Sequence, residues 1–279
     1  MKDVVLYPGC LVLYRFPEYE YTSKLLLQEL GLNSVALNES VCCGAYVQGN
    51  TENWEYLAAY NMSLAELQGL EIITLCGGCT NTFKRLKDMC AKNPEKLEIL
   101  NKRLSKLGLK FTNQVKVRHL LEVLNDNFEQ LERQISKKVG LNLGVMNPCQ
   151  VYRPSEIMKF DNPEEPRIMQ KLAALTGAKV INYLQEDECC GSSLINVNKE
   201  MAQSLGRNRI RELEKLETDL VVTACGNCHL LLDRLQGEYH QGRQIPAIFI
   251  SQLIGLSLAW PYRELKIKNA LLRRLIKNV

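Results

Sequence analysis

EIITLCGGCTNTFKRL (71–86) sets an apolar β-branched run, a Cys-Gly-Gly-Cys turn and a stretch of helical period side by side. DLVVTACGNCHLLLDRL (219–235) does the same in the second half of the chain. The apolar runs are short and end at glycine-punctuated cysteines. Apolar residues then recur at helical spacing, Phe83 and Leu86 in one copy and Leu230, Leu231 and Leu235 in the other. Each copy therefore reads as a strand that feeds a helix through a cysteine turn. Two such units point to an α/β architecture.

The flanks repeat as well. DVVLYPGC (3–10) and LNLGVMNPC (141–149) are β-rich runs broken by Pro just before a cysteine. TSKLLLQELG (22–31) and NVNKEMAQSLGRNRIRELEKLE (196–217) have helical period, whereas NSVALN (33–38) and KVINYL (179–184) read as strands. This alternation predicts βαβ units with parallel-type sheets flanked by helices, in two pseudo-symmetric domains. Residues 91–138 are charged and helical in period, and read as connecting helices that belong mainly to the first half. The expected boundary divides the chain into 1–138 and 139–279, because LNLGVM opens the second copy.

Ten of the eleven cysteines follow one spacing used twice. Cys10 is followed after 31 residues by Cys42-Cys43, and after 32 more by Cys76 and Cys79. Cys149 is followed after 39 residues by Cys189-Cys190, and after 34 more by Cys225 and Cys228. Cys90 stands outside the pattern and reads as a small buried apolar residue. A net charge of +4 is too weak to argue for nucleic acid. MKDVVLYPGC reads as a first buried strand rather than a signal peptide. With no apolar run of spanning length, a cytoplasmic protein is expected. In a reducing compartment thiols serve metals or redox chemistry rather than disulfide staples.

Three occupants of five thiols can be weighed. Disulfides suit neither adjacent cysteines nor the expected compartment. A zinc site uses four tetrahedral ligands, which leaves one thiol over in each copy. An iron–sulfur cluster offers several metal atoms, so neighbouring thiolates can bind different irons, and thiolate is the ligand such clusters take. Five ligands rather than four further suggest an unusual cluster geometry. The glycines beside the cysteines would let backbone approach a cluster closely.

The duplicated pattern resembles the CCG domain, and two such domains in one chain resemble the B-subunit of heterodisulfide reductase. VKVRHLLEVL (115–124), DNPEEPRIMQKLAALTGAKVINY (161–183) and CGNCHLLLDRLQ (225–236) look like that family too. SSLINVN (192–198) departs from it, because methanogen versions are richer in glycine there. The resemblance implies two noncubane 4Fe–4S clusters. One would be held by Cys10, Cys42, Cys43, Cys76 and Cys79, the other by Cys149, Cys189, Cys190, Cys225 and Cys228, and zinc is the alternative occupant of the N-terminal site. It further implies a disulfide cleaved, or formed, between the clusters. Electrons would be exchanged through a ferredoxin-like iron–sulfur subunit linked to a flavin-containing subunit. Related CCG proteins serve sulfur-oxidising complexes and succinate or fumarate–quinone oxidoreductases, which supply the alternative, an electron-transfer and docking subunit.

Beyond the cysteines, His229 directly follows a ligand position and is the candidate proton donor to a cluster sulfur or product thiolate. Glu186, Asp187 and Glu188 are further acid candidates, and Arg15, Lys84, Arg153 and Arg234 candidates to offset cluster charge. His119 reads as structural and His240 as solvated. In the tail, Leu265, Leu272, Leu275, Ile276 and Val279 share a helical face, with basic residues largely elsewhere. Residues 261–279 are thus expected to pack on the protein or a partner, or to make peripheral contact with the inner face of a membrane.

Overall fold

A computed structural model describes residues 1–49, 51 and 53–277. The first half runs β1 (Lys2–Tyr7), α1 (Cys10–Arg15), α2 (Pro17–Glu29), β2 (Leu32–Ala36), α3 (Asn53–Leu67), β3 (Ile72–Thr74) and α4 (Gly77–Lys92). It continues through α5 (Pro94–Leu104), β4 (Val117–His119), α6 (Leu120–Asp126) and α7 (Phe128–Gln134). The second half runs β5 (Asn142–Met146), α8 (Cys149–Tyr152), α9 (Ser155–Met158), α10 (Ile168–Leu175), β6 (Lys179–Ile181), α11 (Lys199–Lys215) and β7 (Leu220–Thr223). It ends with α12 (Gly226–His229), α13 (Gln236–Tyr239), β8 (Ala247–Phe249), α14 (Ile250–Ser257) and α15 (Ala270–Ile276).

The strands form two sheets with the same order, β2-β1-β3-β4 and β6-β5-β7-β8, and every pairing is parallel. This is the α/β architecture read from the strand–helix alternation. Strand order reverses between β1 and β3 and between β5 and β7, because each first strand has its successor on its other side. At such a switch point the connections leave in opposite directions and open a crevice beyond the carboxyl ends of the strands.

Each sheet buries both faces under helices, so its central strands carry apolar runs: Val4, Val5, Ile72 and Ile73 are fully buried, as are Leu220, Val221 and Val222. One apolar cluster includes residues of both sheets, among them Leu6, Ile73, Val145 and Val222, so the halves share a core. Polar contacts join them too. Thr22 and Ser251 hydroxyls lie 2.7 Å apart, and Glu18 in α2 pairs with Arg234 at 3.2 Å and Lys268 at 2.7 Å.

One expectation is corrected, and one left open is decided. The stretch 91–138 is not wholly helical, because Val117–His119 pairs with β3 as the fourth strand of the first sheet. Val115, Val117 and His119 are buried in strand alternation, too short a run to outweigh the helical period around it. Of the places expected for the tail, its apolar face takes the one packed on the protein. Leu265, Ile267, Leu272 and Ile276 are at most 5% exposed and belong to the shared core, with basic Arg273 and Arg274 left outside. Val279 lies outside the described residues. Among the described residues no helix is long and apolar enough to cross a membrane.

Candidate metal centre

Eight of the ten repeated cysteines follow the carboxyl ends of strands, and Cys79 and Cys228 lie in the first turns of α4 and α12. Cys10 and Cys149 open α1 and α8 just after β1 and β5, while Cys76 and Cys225 are the N-caps of α4 and α12 after β3 and β7. All four therefore stand at the two switch points. Cys42-Cys43 and Cys189-Cys190 lie in the loops that follow β2 and β6. In both loops the next residue is a left-handed glycine, Gly44 at φ +88° and Gly191 at φ +86°. That turn aims the glycine N–H back at the first thiol, Gly44 N to Cys42 Sγ and Gly191 N to Cys189 Sγ, each at 3.4 Å.

All eleven cysteines are free, and ten of them line a single cavity of about 120 Å³. Cys90 is buried away from it. The ten sulfurs follow one another in an unbroken order in which the proton affinity of each is set by its neighbours. It runs Cys10, Cys42, Cys43, Cys79, Cys76, then crosses to Cys225, Cys228, Cys190, Cys189 and Cys149. The order is the same read from either end, and Cys76 and Cys225 form its midpoint. The thiols of Cys10 and Cys43 hold Cys42 down at about 2, and those of Cys149 and Cys190 do the same to Cys189. Their neighbours Cys43 and Cys190 are pushed up to about 12, chiefly by the thiolate beside each. At the midpoint Cys225 is lowered by Cys228 and Cys76, helped by the backbone N–H groups of Gly77 and Asn227.

The halves interlock around the cavity. A Cβ on Gly77 would stand 3.4 Å from Gln150 and Val151 of α8, and a Cβ on Gly226 would stand 3.2 Å from Val12 of α1. Each Cys-Gly-x-Cys turn thus packs closely on the first-cysteine helix of the other half. Gly9, at φ +79°, lies so close to the first site that a Cβ there would fall 2.8 Å from Cys79 Sγ.

The structure therefore brings together all ten cysteines named from the sequence. It does not bring His229 to them. The imidazole Nδ1 bonds the Thr223 hydroxyl at 3.0 Å, Nε2 faces Asp233 at 3.9 Å, and the ring stacks on Phe249 at 3.9 Å, outside the cavity lining. Glu186 pairs with Arg167 at 3.2 Å, Asp187 accepts from Asn147 at 2.8 Å, and Lys84 pairs with Glu122 at 2.8 Å; none of them, nor Glu188 or Arg15, lines the cavity. His119 is fully buried at the end of β4, where its Nδ1 accepts from the Leu121 N–H. His240 is not solvated but 5% exposed, with Nε2 at 3.3 Å from Glu214. Tyr46 and Asn227 escaped the sequence reading. They line the cavity from opposite halves, and the Tyr46 hydroxyl donates to Asn227 Oδ1 at 2.5 Å. Only adjacency to the cysteine motifs could have marked them.

The donor set is entirely sulfur and suits a soft, thiolate-bound group. Among the described residues no three His, Cys, Asp or Glu side chains are arranged to hold one metal ion. Sulfurs spread around a cavity, rather than gathered on a point, fit a group with several metal atoms better than a lone tetrahedral ion.

The cysteine-rich domain family (CCG) matches the chain twice, over residues 4–84 and 143–233. The chain belongs to that family. Its two cysteine-rich domains fall one in each half, and its relatives include B-subunits of heterodisulfide reductase. One of these, the ferredoxin/F420H2-dependent CoB-CoM heterodisulfide reductase B-subunit of Methanosarcina acetivorans, is 29% identical over 96% of this chain and 93% of its own. The 8-methylmenaquinol:fumarate reductase membrane anchor subunit of Wolinella succinogenes is 26% identical over 96% of both. In fold, the chain resembles the crystal structure of a hypothetical protein from Helicobacter pylori, with a TM-score of 0.76 at 17% identity. That match covers 95% of this chain, which spans about half the length of the solved one at 50%.

Proposed function

We propose that this chain is the catalytic iron–sulfur subunit of a heterodisulfide-reductase-type complex. The observation that carries the reading is the single cavity walled by ten free thiols in a palindromic order, five from each of two cysteine-rich domains. Cys10, Cys42, Cys43, Cys76 and Cys79 would hold one noncubane 4Fe–4S cluster, and Cys149, Cys189, Cys190, Cys225 and Cys228 a second. Bound there, the clusters would supply one electron to each sulfur of a disulfide. The reaction balances as RSSR + 2 e⁻ + 2 H⁺ → 2 RSH, and runs backwards as thiol oxidation.

The protein's own part is to orient and to insulate. The strand ends fix the thiols, and the glycine N–H groups at Gly44 and Gly191 stabilise negative sulfur. Loading displaces thiol protons. His229, held against Thr223 and Phe249, does not line the cavity, so in this reading protons would come from solvent or substrate. Electrons would arrive from a ferredoxin-like partner. The similarity to a fumarate reductase subunit supports the second reading, an electron-transfer component of a quinone-linked enzyme.

Anaerobic purification with iron, sulfide and zinc analysis tests the proposal. About eight irons per chain are expected, with thiol release from a disulfide driven by a reduced dye. Zinc alone would overturn it, and zinc with about four irons would assign zinc to one site.

A further inference from the structure

Helix α1, which Cys10 opens, leaves one face exposed. Cys10, Leu13 and Tyr14 fall at i, i+3 and i+4 and share that face, while Val12 and the capping Phe16 are buried. Leu13 is 50% exposed and Tyr14 80%. Helical side chains lean toward the N-terminus, which carries both toward Cys10 at the edge of the cavity. The second half treats the same positions differently. Tyr152 and Arg153 stand three and four residues after Cys149. Tyr152 is 1% exposed and stacks on Phe160, and Arg153 donates to the carbonyls of Pro163 at 2.8 Å and Asp187 at 3.0 Å. The chain beyond α9 thus covers one first-cysteine helix, and the other stays open.

The surroundings of the open face are basic. Arg15 is exposed beside Tyr14. Residues 261–279 carry six Lys or Arg against one Glu, a charge of +5 that leaves −1 for the other 260 residues. Packing brings this stretch to the corner between α1 and α2. Buried Glu18 holds Lys268 at 2.7 Å and Arg234 at 3.2 Å, and the Arg234 guanidinium lies 5.8 Å from the Phe16 ring. The Lys266 ammonium lies 4.7 Å from the ring of Tyr21, one turn along α2. Acids at this corner are already engaged, Glu18 by those two cations, Glu264 by Tyr21 and Arg263, and Glu20 by Lys24. Exposed Arg15 and Lys266 are therefore in surplus. Exposed Leu184 of the second half has the opposite setting. Glu212 accepts from its N–H at 2.7 Å, and Glu186, Asp187 and Glu188 follow it in sequence.

We propose, resting on the reductase reading above, that the exposed face of α1 docks the acidic surface of a small redox protein that delivers electrons to the first site. Leu13 and Tyr14 are the apolar centre of the contact, and Arg15 and Lys266 the basic rim that selects an acidic partner. Each encounter oxidises the partner by one electron and reduces the first site by one. Two apolar side chains on a six-residue helix bury too little area to hold the chain on lipid.

The experiment titrates the anaerobically loaded full chain with a small acidic ferredoxin and measures Kd at low and high salt. Disulfide reduction is followed with that ferredoxin, and separately with a viologen dye, as the donor. Tyr14→Asp and Arg15→Glu are each expected to raise Kd, and to lower kcat/KM for reduced ferredoxin, about tenfold. Iron content and dye-driven reduction should not change. Leu184→Asp, and Lys106→Glu at an exposed site on the outer helices, are expected to leave binding as it was. Ferredoxin binding that both α1 variants leave intact, or that Leu184→Asp abolishes, would overturn the inference. So would flotation with anionic liposomes lost in Arg15→Glu, which gives the face to lipid, or self-association lost in Tyr14→Asp, which gives it to a second copy. If neither donor drives disulfide reduction while the α1 variants still lose ferredoxin binding, the reductase reading falls and the docking face stands.

Discussion

The Tyr19 hydroxyl, in the first half, donates to the carbonyl of Ala224 at 3.2 Å, one residue before Cys225 in the second. The ring is fully buried and stacks on Phe249 with centroids 4.1 Å apart. One half thus steadies the turn that carries Cys225 of the other. Tyr19→Phe keeps the ring and leaves that carbonyl without its donor, at a cost of about 1–3 kcal/mol. Denaturant unfolding of the loaded chain measures it, and an unchanged midpoint would mean that the bond contributes nothing.

Gly9 and Gly31 share positive φ, at +79° and +76°, but differ in surroundings. A Cβ at Gly9 meets Cys79 Sγ at 2.8 Å, whereas nothing lies within 4 Å of one at Gly31. Alanine strains the backbone at both by about 1–2 kcal/mol, but only at Gly9 does it also push a cavity sulfur. Gly9→Ala is expected to lose about half the bound iron and Gly31→Ala to keep it, read by iron per chain. Equal retention would show that the first site tolerates displacement of Cys79.

His119 occupies the strand position that Phe249 holds in the second sheet, since His119 pairs with Thr74 and Phe249 with Thr223. Burial holds its imidazole down at about 4, against an ordinary value near 6.5. The unfolded chain takes up this proton below about 6.5 and the folded chain refuses it until about 4. Stability is therefore complete above that window and falls as the pH is lowered through it, at up to about 1.4 kcal/mol per pH unit. His119→Phe should remove this contribution, giving a shallower loss of unfolding free energy between pH 7 and pH 5. An identical slope in the variant would mean that other groups set the acid response.

What the sequence revealed and what it hid divide along physical lines. The cysteine turns were legible because glycine and proline punctuate strand ends, and because a repeated five-thiol spacing has little other use. β4 was not, since Val115, Val117 and His119 give too brief an alternation inside a helix-periodic stretch. His229 misled for a geometric reason. Successive residues on a helix point about 100° apart, so the neighbour of cavity-facing Cys228 turns toward Thr223 and Phe249. The Tyr46–Asn227 bond joins residues 181 apart in sequence, and nothing local to either announces it.

The tail gives the last prediction, because its amphipathic pattern had two outcomes and packing chose one. Lys268 reaches buried Glu18 at 2.7 Å, Asn269 caps α15 through the N–H groups of Leu271 and Leu272, and its amide donates to Asp233 Oδ1 at 2.7 Å. Leu272 and Ile276, 2% and 4% exposed, sit in the core that both halves share. Leu272→Ala should therefore cost about 2–5 kcal/mol in unfolding free energy, as for any large side chain removed from a packed interior. A helix held this way cannot also insert its apolar face in lipid without giving up that burial. The full chain is accordingly expected to stay unbound in flotation with anionic liposomes. Flotation of the full chain, combined with an unfolding midpoint that Leu272→Ala leaves in place, would show that the helix leaves the core to meet the membrane.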